Sequence, residues 1–332
     1  MEHSATTGAE VAADEATTTW ERAKRFLFSK ESVLPLLLGL TGFAVAYLVF
    51  HWGNGTPGKA ERFVTTPQYR LWALLICAQM SLWLALSAPL VKGLLRKGTW
   101  EYVWTWGVGL KVFVLAGFLL WGFNSAFHEL PVKEVIDFHP YHVHKLKFFN
   151  VAGGLAALLA IAGIWATQAA LKEAEESPRA DRAKRVGHFL TLRSQLEQYL
   201  LAAGTIIGAA TLATGALRQS VLAYDSRYGE RFMVQDVLGY GLTFSLMLAL
   251  VYAPAHMRLV SARAALHRTL VPLPKPDADD PHAGAVSWDA WNKEHKAAGE
   301  LLQPNAGLFG SLAGAVSILT PLLGSLVSLL LK

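Results

Sequence analysis

The sequence predicts an all-α protein, a polytopic transmembrane helical bundle with six spans and a seventh, C-terminal hydrophobic helix. Three observations predict it. The 332 residues are 53% hydrophobic and 17% charged, with a mean hydropathy of +0.31, more apolar surface than one soluble core of that size hides. The apolar residues gather into blocks of about 20 nearly charge-free positions, the length a helix needs to cross about 30 Å of hydrocarbon. Those blocks are continuous and do not alternate, so their peptide groups have to be paired within each segment, as helices.

Residues 1–32 are expected to form a cytoplasmic, disordered or amphipathic N-terminus. MEHSATTGAEVAADEATTT is acidic and polar, the reverse of the basic opening of a secretory signal. The six-span bundle occupies 33–256. Its first block, SVLPLLLGLTGFAVAYLVFHW, gives a span at 33–52 that is too long for a signal-peptide core and stays in the chain. The second, 71–92, holds Cys77, the one cysteine, which excludes an intrachain disulfide and a thiolate metal cluster. The third, 104–124, carries Lys111 in WGVGLKVFVLAGF, the one charge well inside a span. An intramembrane lysine marks a functional position by default, with snorkelling to the nearer interface as the competing account.

Between the third and fourth spans, DFHPYHVHKLKFF sets Asp137, His139, His142 and His144 within eight residues. Imidazole nitrogen and carboxylate oxygen are good ligands for Zn²⁺ and related ions, so this loop is the candidate site for a divalent metal, the one cofactor the sequence suggests. In an extended chain His142 and His144 share a side. In a helix opened by Pro140 they diverge by about 200°, and the loop then reads as a hydrated, pH-responsive anchor of the fourth span, 148–170.

Residues 172–198 continue as a charged extension, break at Ser177-Pro178, and resume as an amphipathic helix on the membrane surface. The fifth span, 199–217, contains Gly204 and Gly208 as a GxxxG pair, which lets helix backbones approach closely in lipid, within the bundle or at a homo-oligomer interface. The external segment 218–236 carries Arg218 and Asp236 at its edges, solvated charges or a pair at a gate. The sixth span is 237–256.

Residues 257–304 are a cytoplasmic linker and short helix. LVPLPKPDADDPHAG is linker chemistry, and Ser287 caps a helix with Trp288 and Trp291 that Pro304 stops. This piece is too small for a catalytic domain and is expected to dock on the bundle or on a cytoplasmic protein partner. Residues 305–332 form the C-terminal hydrophobic helix, inserted in the membrane or packed on the bundle. At 100° per residue it collects Gly310, Gly314, Ser317 and Ser325 on one side, opposite a leucine-rich side. That small, hydroxylated face packs on the bundle, or lines a water path when several chains assemble.

Sixteen Lys and Arg residues flank the spans on the side of the N-terminus and nine on the other, which predicts a cytoplasmic N-terminus in the plasma membrane. Trp20, Trp52, Trp72, Trp100, Trp104 and Trp121 fall near span ends, where the ring sits among headgroups. The net charge of +5 is met by anionic lipid and calls for no nucleic acid. No Gly-x-Ser-x-Gly elbow, P-loop lysine motif or dinucleotide fingerprint is present. Three function classes remain: an oligomeric channel or pore using the C-terminal helix, a membrane scaffold or sensor acting through its cytoplasmic segments, and a metal-dependent membrane enzyme using the histidine loop. The scarcity of chemistry in the chain places the channel first and the enzyme last.

Overall fold

A computed structural model describes residues 30–52, 59–95, 99–103, 105, 107–117, 141–176, 182–230, 232–272, 283–302 and 312–330. These form helices and short connections, with no strand among the described residues. In chain order the helices are α1 (Lys30–His51), α2 (Lys59–Val64), α3 (Pro67–Leu94), α4 (Trp100–Val103), α5 (Gly107–Gly117), α6 (His142–Glu176), α7 (Arg182–Tyr224), α8 (Val234–Leu270), α9 (Ala283–Leu302) and α10 (Leu312–Leu330). A 3₁₀ turn at Ser226–Glu230 joins α7 to α8. Five helices, α1, α3, α6, α7 and α8, are long and apolar enough to cross a membrane; α5 and the Val316–Leu330 part of α10 are shorter apolar helices.

The helices overrun the predicted spans. α7 is one continuous element of 43 residues, because the amphipathic segment feeding the fifth span keeps the same helical path into the bundle. α3 opens on Thr66, whose Oγ1 accepts the Tyr69 N–H at 3.2 Å, followed by Pro67, whose missing N–H costs nothing in a first turn. α9 begins at Ala283, four residues before the expected Ser287 cap.

Four prolines lie inside helices: Pro35, Pro89, Pro254 and Pro321. Neighbouring helices take over the backbone bonds such residues disturb. At Pro321 this is visible, since Thr211 Oγ1 donates to the Pro321 carbonyl at 2.9 Å and the Leu322 N–H donates to Ser245 Oγ at 3.2 Å.

α7 is the central helix, packed against α3, α6, α8 and α10. Its antiparallel register with α3 is fixed by the Trp83 indole N–H donating to the Ile206 carbonyl (3.3 Å) and by Ser220 Oγ donating to the Gln68 carbonyl (2.8 Å). α6 runs parallel to α3. His142, at the start of α6, lies 5.7 Å from Trp72, near the start of α3, and Trp83 further along α3 fills the space beside Gly153 further along α6.

The periphery of the bundle is apolar. Leu36, Leu40 and Leu48 of α1 are 60%, 61% and 69% exposed, and Leu242, Leu246 and Leu250 of α8 are 58%, 60% and 66% exposed. A water-soluble monomer rarely shows apolar patches of this extent, whereas acyl chains cover them at no cost. The protein is an integral membrane protein on this ground and on the five long apolar helices.

Candidate ligand cavity in the bundle

The residues singled out in the sequence do not converge on one site. Asp137 and His139 lie outside the described residues. His142 and His144 belong to the first turn of α6, where the helix sends them apart: His142 is buried against Trp72, and His144 is exposed. Of the two arrangements open to His142 and His144, the chain takes the diverging helical one, and no group of three His, Cys, Asp or Glu able to hold a metal occurs among the described residues. Lys111 is exposed on α5 beside Phe113 and Val114, which are 76% and 60% exposed.

The small residues fall at helix contacts. A methyl group added at Gly204 would stand 2.2 Å from the Ser317 carbonyl oxygen, and one at Gly208 would stand 2.3 Å from Thr320 Cγ2. Ser317 and Ser325 are buried, with Ser325 Oγ and the Pro321 carbonyl closing on Gly241 of α8. The hydroxylated side of α10 thus faces α7 and α8 of its own chain. Gly314 lies near the start of α10, and Gly310 lies outside the described residues.

Arg218 and Asp236 satisfy backbone groups. Arg218 Nε donates to the Phe232 carbonyl at 2.7 Å, and the Asp236 carboxylate accepts the Met233 N–H at 2.8 Å at the start of α8. Trp72, expected among the headgroups, is instead a core residue, 1% exposed, in edge contact with Phe50 and Tyr69. α3 starts five residues before it, so the ring is already inside the bundle. Trp52 is exposed, 6.2 Å from Tyr141 at the same end of the bundle.

Two of the buried polar residues have surroundings that the sequence did not show. Lys145, at the start of α6, is buried and its ammonium donates to the Phe50 carbonyl at 2.8 Å. Phe50 is in the last turn of α1, whose carbonyls lack intrahelical partners and carry the negative end of the helix dipole. Lys145 thus caps the end of α1. The second is Gln79, 6% exposed in the middle of α3, whose side-chain oxygen has no hydrogen-bond partner. Its signal was visible: an amide in LWALLICAQMSLWLALS is a polar group at membrane depth, and such groups have partners or functions.

Gln79 lines a cavity of about 100 Å³ enclosed by α3, α6, α7 and α8. Trp83, also on its wall, can lie so close to α6 because position 153 is glycine: a methyl group there would stand 2.4 Å from the indole. On α6 the lining runs from Leu146 to Ile161, about 22 Å of helix at 1.5 Å per residue. The helix registers put Gln79 level with Asn150 and Ala210, with Thr214 one turn further out on α7. Tyr240, in edge contact with Phe244 at 4.6 Å, lines the α8 side.

Asn150, Gly154, Tyr240, Phe244 and Met247 are partly exposed and mark the open side of the cavity, between α6 and α8. None of the residues lining it is charged. The outer side of α8, with exposed Leu242, Leu246 and Leu250, and Val151 and Leu155, which follow Asn150 and Gly154 on α6, are apolar surface of the kind acyl chains cover. An unpaired buried amide oxygen such as that of Gln79 costs about 1–3 kcal/mol.

On the opposite end of α8, α9 is folded back. Arg263 donates to the Gly299 carbonyl (3.3 Å), His267 Nε2 to the His295 carbonyl (3.2 Å), and the Trp291 indole to the Pro272 carbonyl (3.0 Å). The His267 and Trp291 rings both lie against His295, at 4.3 and 4.6 Å. No protein-family model, no curated protein and no solved structure matches the chain, so its functional reading rests on this cavity and on what α8 connects it to.

Proposed function

We propose that the protein is a membrane sensor: a neutral small molecule dissolved in the bilayer enters the bundle cavity, and α8 transmits its presence to the docked segment α9. The observation that carries this reading is that one helix serves both places. α8 lines the cavity with Tyr240, Phe244 and Met247 and holds α9 with Arg263 and His267. The two stations are separated by Met247 to Arg263, about 24 Å along the axis, with Pro254 between them as a bending point. An occupant that prefers one tilt of α8 shifts the α9 docking equilibrium by its differential affinity for the two arrangements.

In this reading the chain crosses the membrane six times by residue 270. α3 and α6 are parallel neighbours, so the connection from 95 to 141, which contains α5, returns across the bilayer. α10 is a seventh apolar helix, packed in the bundle. The N-terminus and α9 share the cytoplasmic side of the plasma membrane, where α9 released from α8 meets a protein partner. The channel reading needs the hydroxylated side of α10 free to line a water path; its burial against α7 and α8 favours the sensor.

The test mimics occupancy without a ligand. Gly154 borders the cavity, and a carbon added there meets no heavy atom within 4 Å, so Gly154→Leu has room to place its side chain in the space. In phosphatidylcholine nanodiscs, amide hydrogen exchange of 283–302 is expected to change several-fold between wild type and Gly154→Leu. Identical exchange in that segment, with the variant folded and monodisperse, would overturn the coupling.

A further inference from the structure

We infer that the cavity occupant is a small neutral phenol, held by a hydrogen bond between its hydroxyl and the Gln79 amide. This deepens the sensor reading and rests on its cavity being a ligand site. Four observations select the ligand. The first is size: about 100 Å³ is less than the ~150 Å³ closed cavity that takes benzene, so the occupant is at most a single ring, part of which lies in the open side.

The second is charge. No charged side chain lines the cavity, and an ionised ligand buried there would have no counter-charge, so anions and cations are excluded. The third is the wall: Trp72, Trp83, Phe149, Tyr240 and Phe244 surround the space with aromatic faces and edges that pair well with a ring. The fourth is Gln79, 6% exposed, which lines the cavity; its oxygen is buried and unpartnered, and a half-turn of the amide brings that oxygen to the place of its nitrogen. A hydroxyl both donates and accepts, so it serves the amide in either orientation of its oxygen and nitrogen. A hydrocarbon ring would leave the amide oxygen as it is.

The route is lateral. Neutral phenols partition into bilayers, and on α6 the exposed apolar Val151 and Leu155 follow the half-exposed lining residues Asn150 and Gly154, an apolar approach to the open side.

The experiment uses full-length protein in phosphatidylcholine nanodiscs and a diazirine-bearing phenol as photolabel, with peptide mapping by mass spectrometry. p-Cresol and p-xylene, alike in shape and differing in one hydroxyl, serve as competitors. The expected result is label on cavity-lining residues of α6 and α8, lost in Gly154→Leu, with p-cresol competing about tenfold better than p-xylene, as one hydrogen bond predicts. In Gln79→Leu that advantage is expected to vanish while labelling persists. Equal competition by the two molecules in wild type overturns hydroxyl recognition and leaves the cavity as an apolar ligand site. Absence of label from the cavity lining, or label there that survives Gly154→Leu, overturns the cavity as a ligand site and the sensor reading with it.

Discussion

Lys145 enters the bundle one turn into α6 and spends its charge on the Phe50 carbonyl, where α1 ends. A buried ammonium is tolerated when a charge-assisted bond replaces its hydration. Lys145→Met removes the bond and leaves α1 uncapped, so it is expected to destabilise the protein by about 2 kcal/mol, read as a lower Tm in detergent. Gln79 is the opposite case, a buried polar group whose oxygen finds no partner on the neighbouring helices. Gln79→Leu is therefore expected to stabilise the unliganded protein by about 1 kcal/mol, and a loss of Tm would refute the assignment of an orphaned oxygen. At the surface, Asp225 accepts hydrogen bonds from the Arg227 guanidinium and backbone N–H, which hold its carboxyl at about 2, below its ordinary 3.8. Because the folded value is the lower one, its contribution to stability is present above about pH 4 and is lost as pH falls towards 2. A carboxyl-carbon NMR titration is expected to show a midpoint near 2 that returns towards 3.8 in Arg227→Gln.

At the scale of elements, contacts between helices are set by where a side chain is missing. Hydrophobicity does not drive helices together in lipid, so backbone approach and interhelical hydrogen bonds do that work. The α7–α10 contact uses both: Gly204 meets the Ser317 carbonyl, Gly324 meets the Gly208 carbonyl, and Thr211 donates to Pro321. Gly204→Ala is expected to cost about 1–3 kcal/mol, because the obstacle is backbone that cannot swing away. Gly239→Ala in α8, with nothing within 4 Å of the added carbon, is expected to leave Tm unchanged or slightly raised. Similar losses in both variants would show that the α7–α10 contact is not as close as described. The small side of α10 was legible in the sequence because its period is helical and its residues are Gly and Ser. The identity of its partner was not, since composition marks a face for close contact without saying which helix meets it. Gln79 and Lys145 were overlooked for a related reason: each depends on what another helix brings, an empty space in one case and the carbonyls of α1 in the other.

On the scale of the whole molecule, the path of the chain follows from which helix ends meet. α1 ends and α6 begins at one level, joined by Lys145 and Phe50, while Tyr102 of α4 donates to Glu173 near the other end of α6. Residues 101 and 141 are thus expected on opposite faces of the membrane, although α5, the helix described between them, is only 11 residues long. The positive-inside rule then assigns the faces, and it gains from the structure, because Lys145 is a buried cap and not one of the loop charges on the outer side. The check starts from Cys77→Ser, which removes the one native thiol, and adds single cysteines at exposed positions: Glu101→Cys, Tyr141→Cys, Arg227→Cys and Lys293→Cys. A membrane-impermeant maleimide applied to sealed, right-side-out vesicles is expected to label positions 141 and 227 at once, and 101 and 293 only after permeabilisation. Labelling of 101 and 141 from the same face would refute the crossing between them. The inverse pattern at all four positions would keep the six crossings and reverse the orientation, moving α9 and any partner it recruits to the outside.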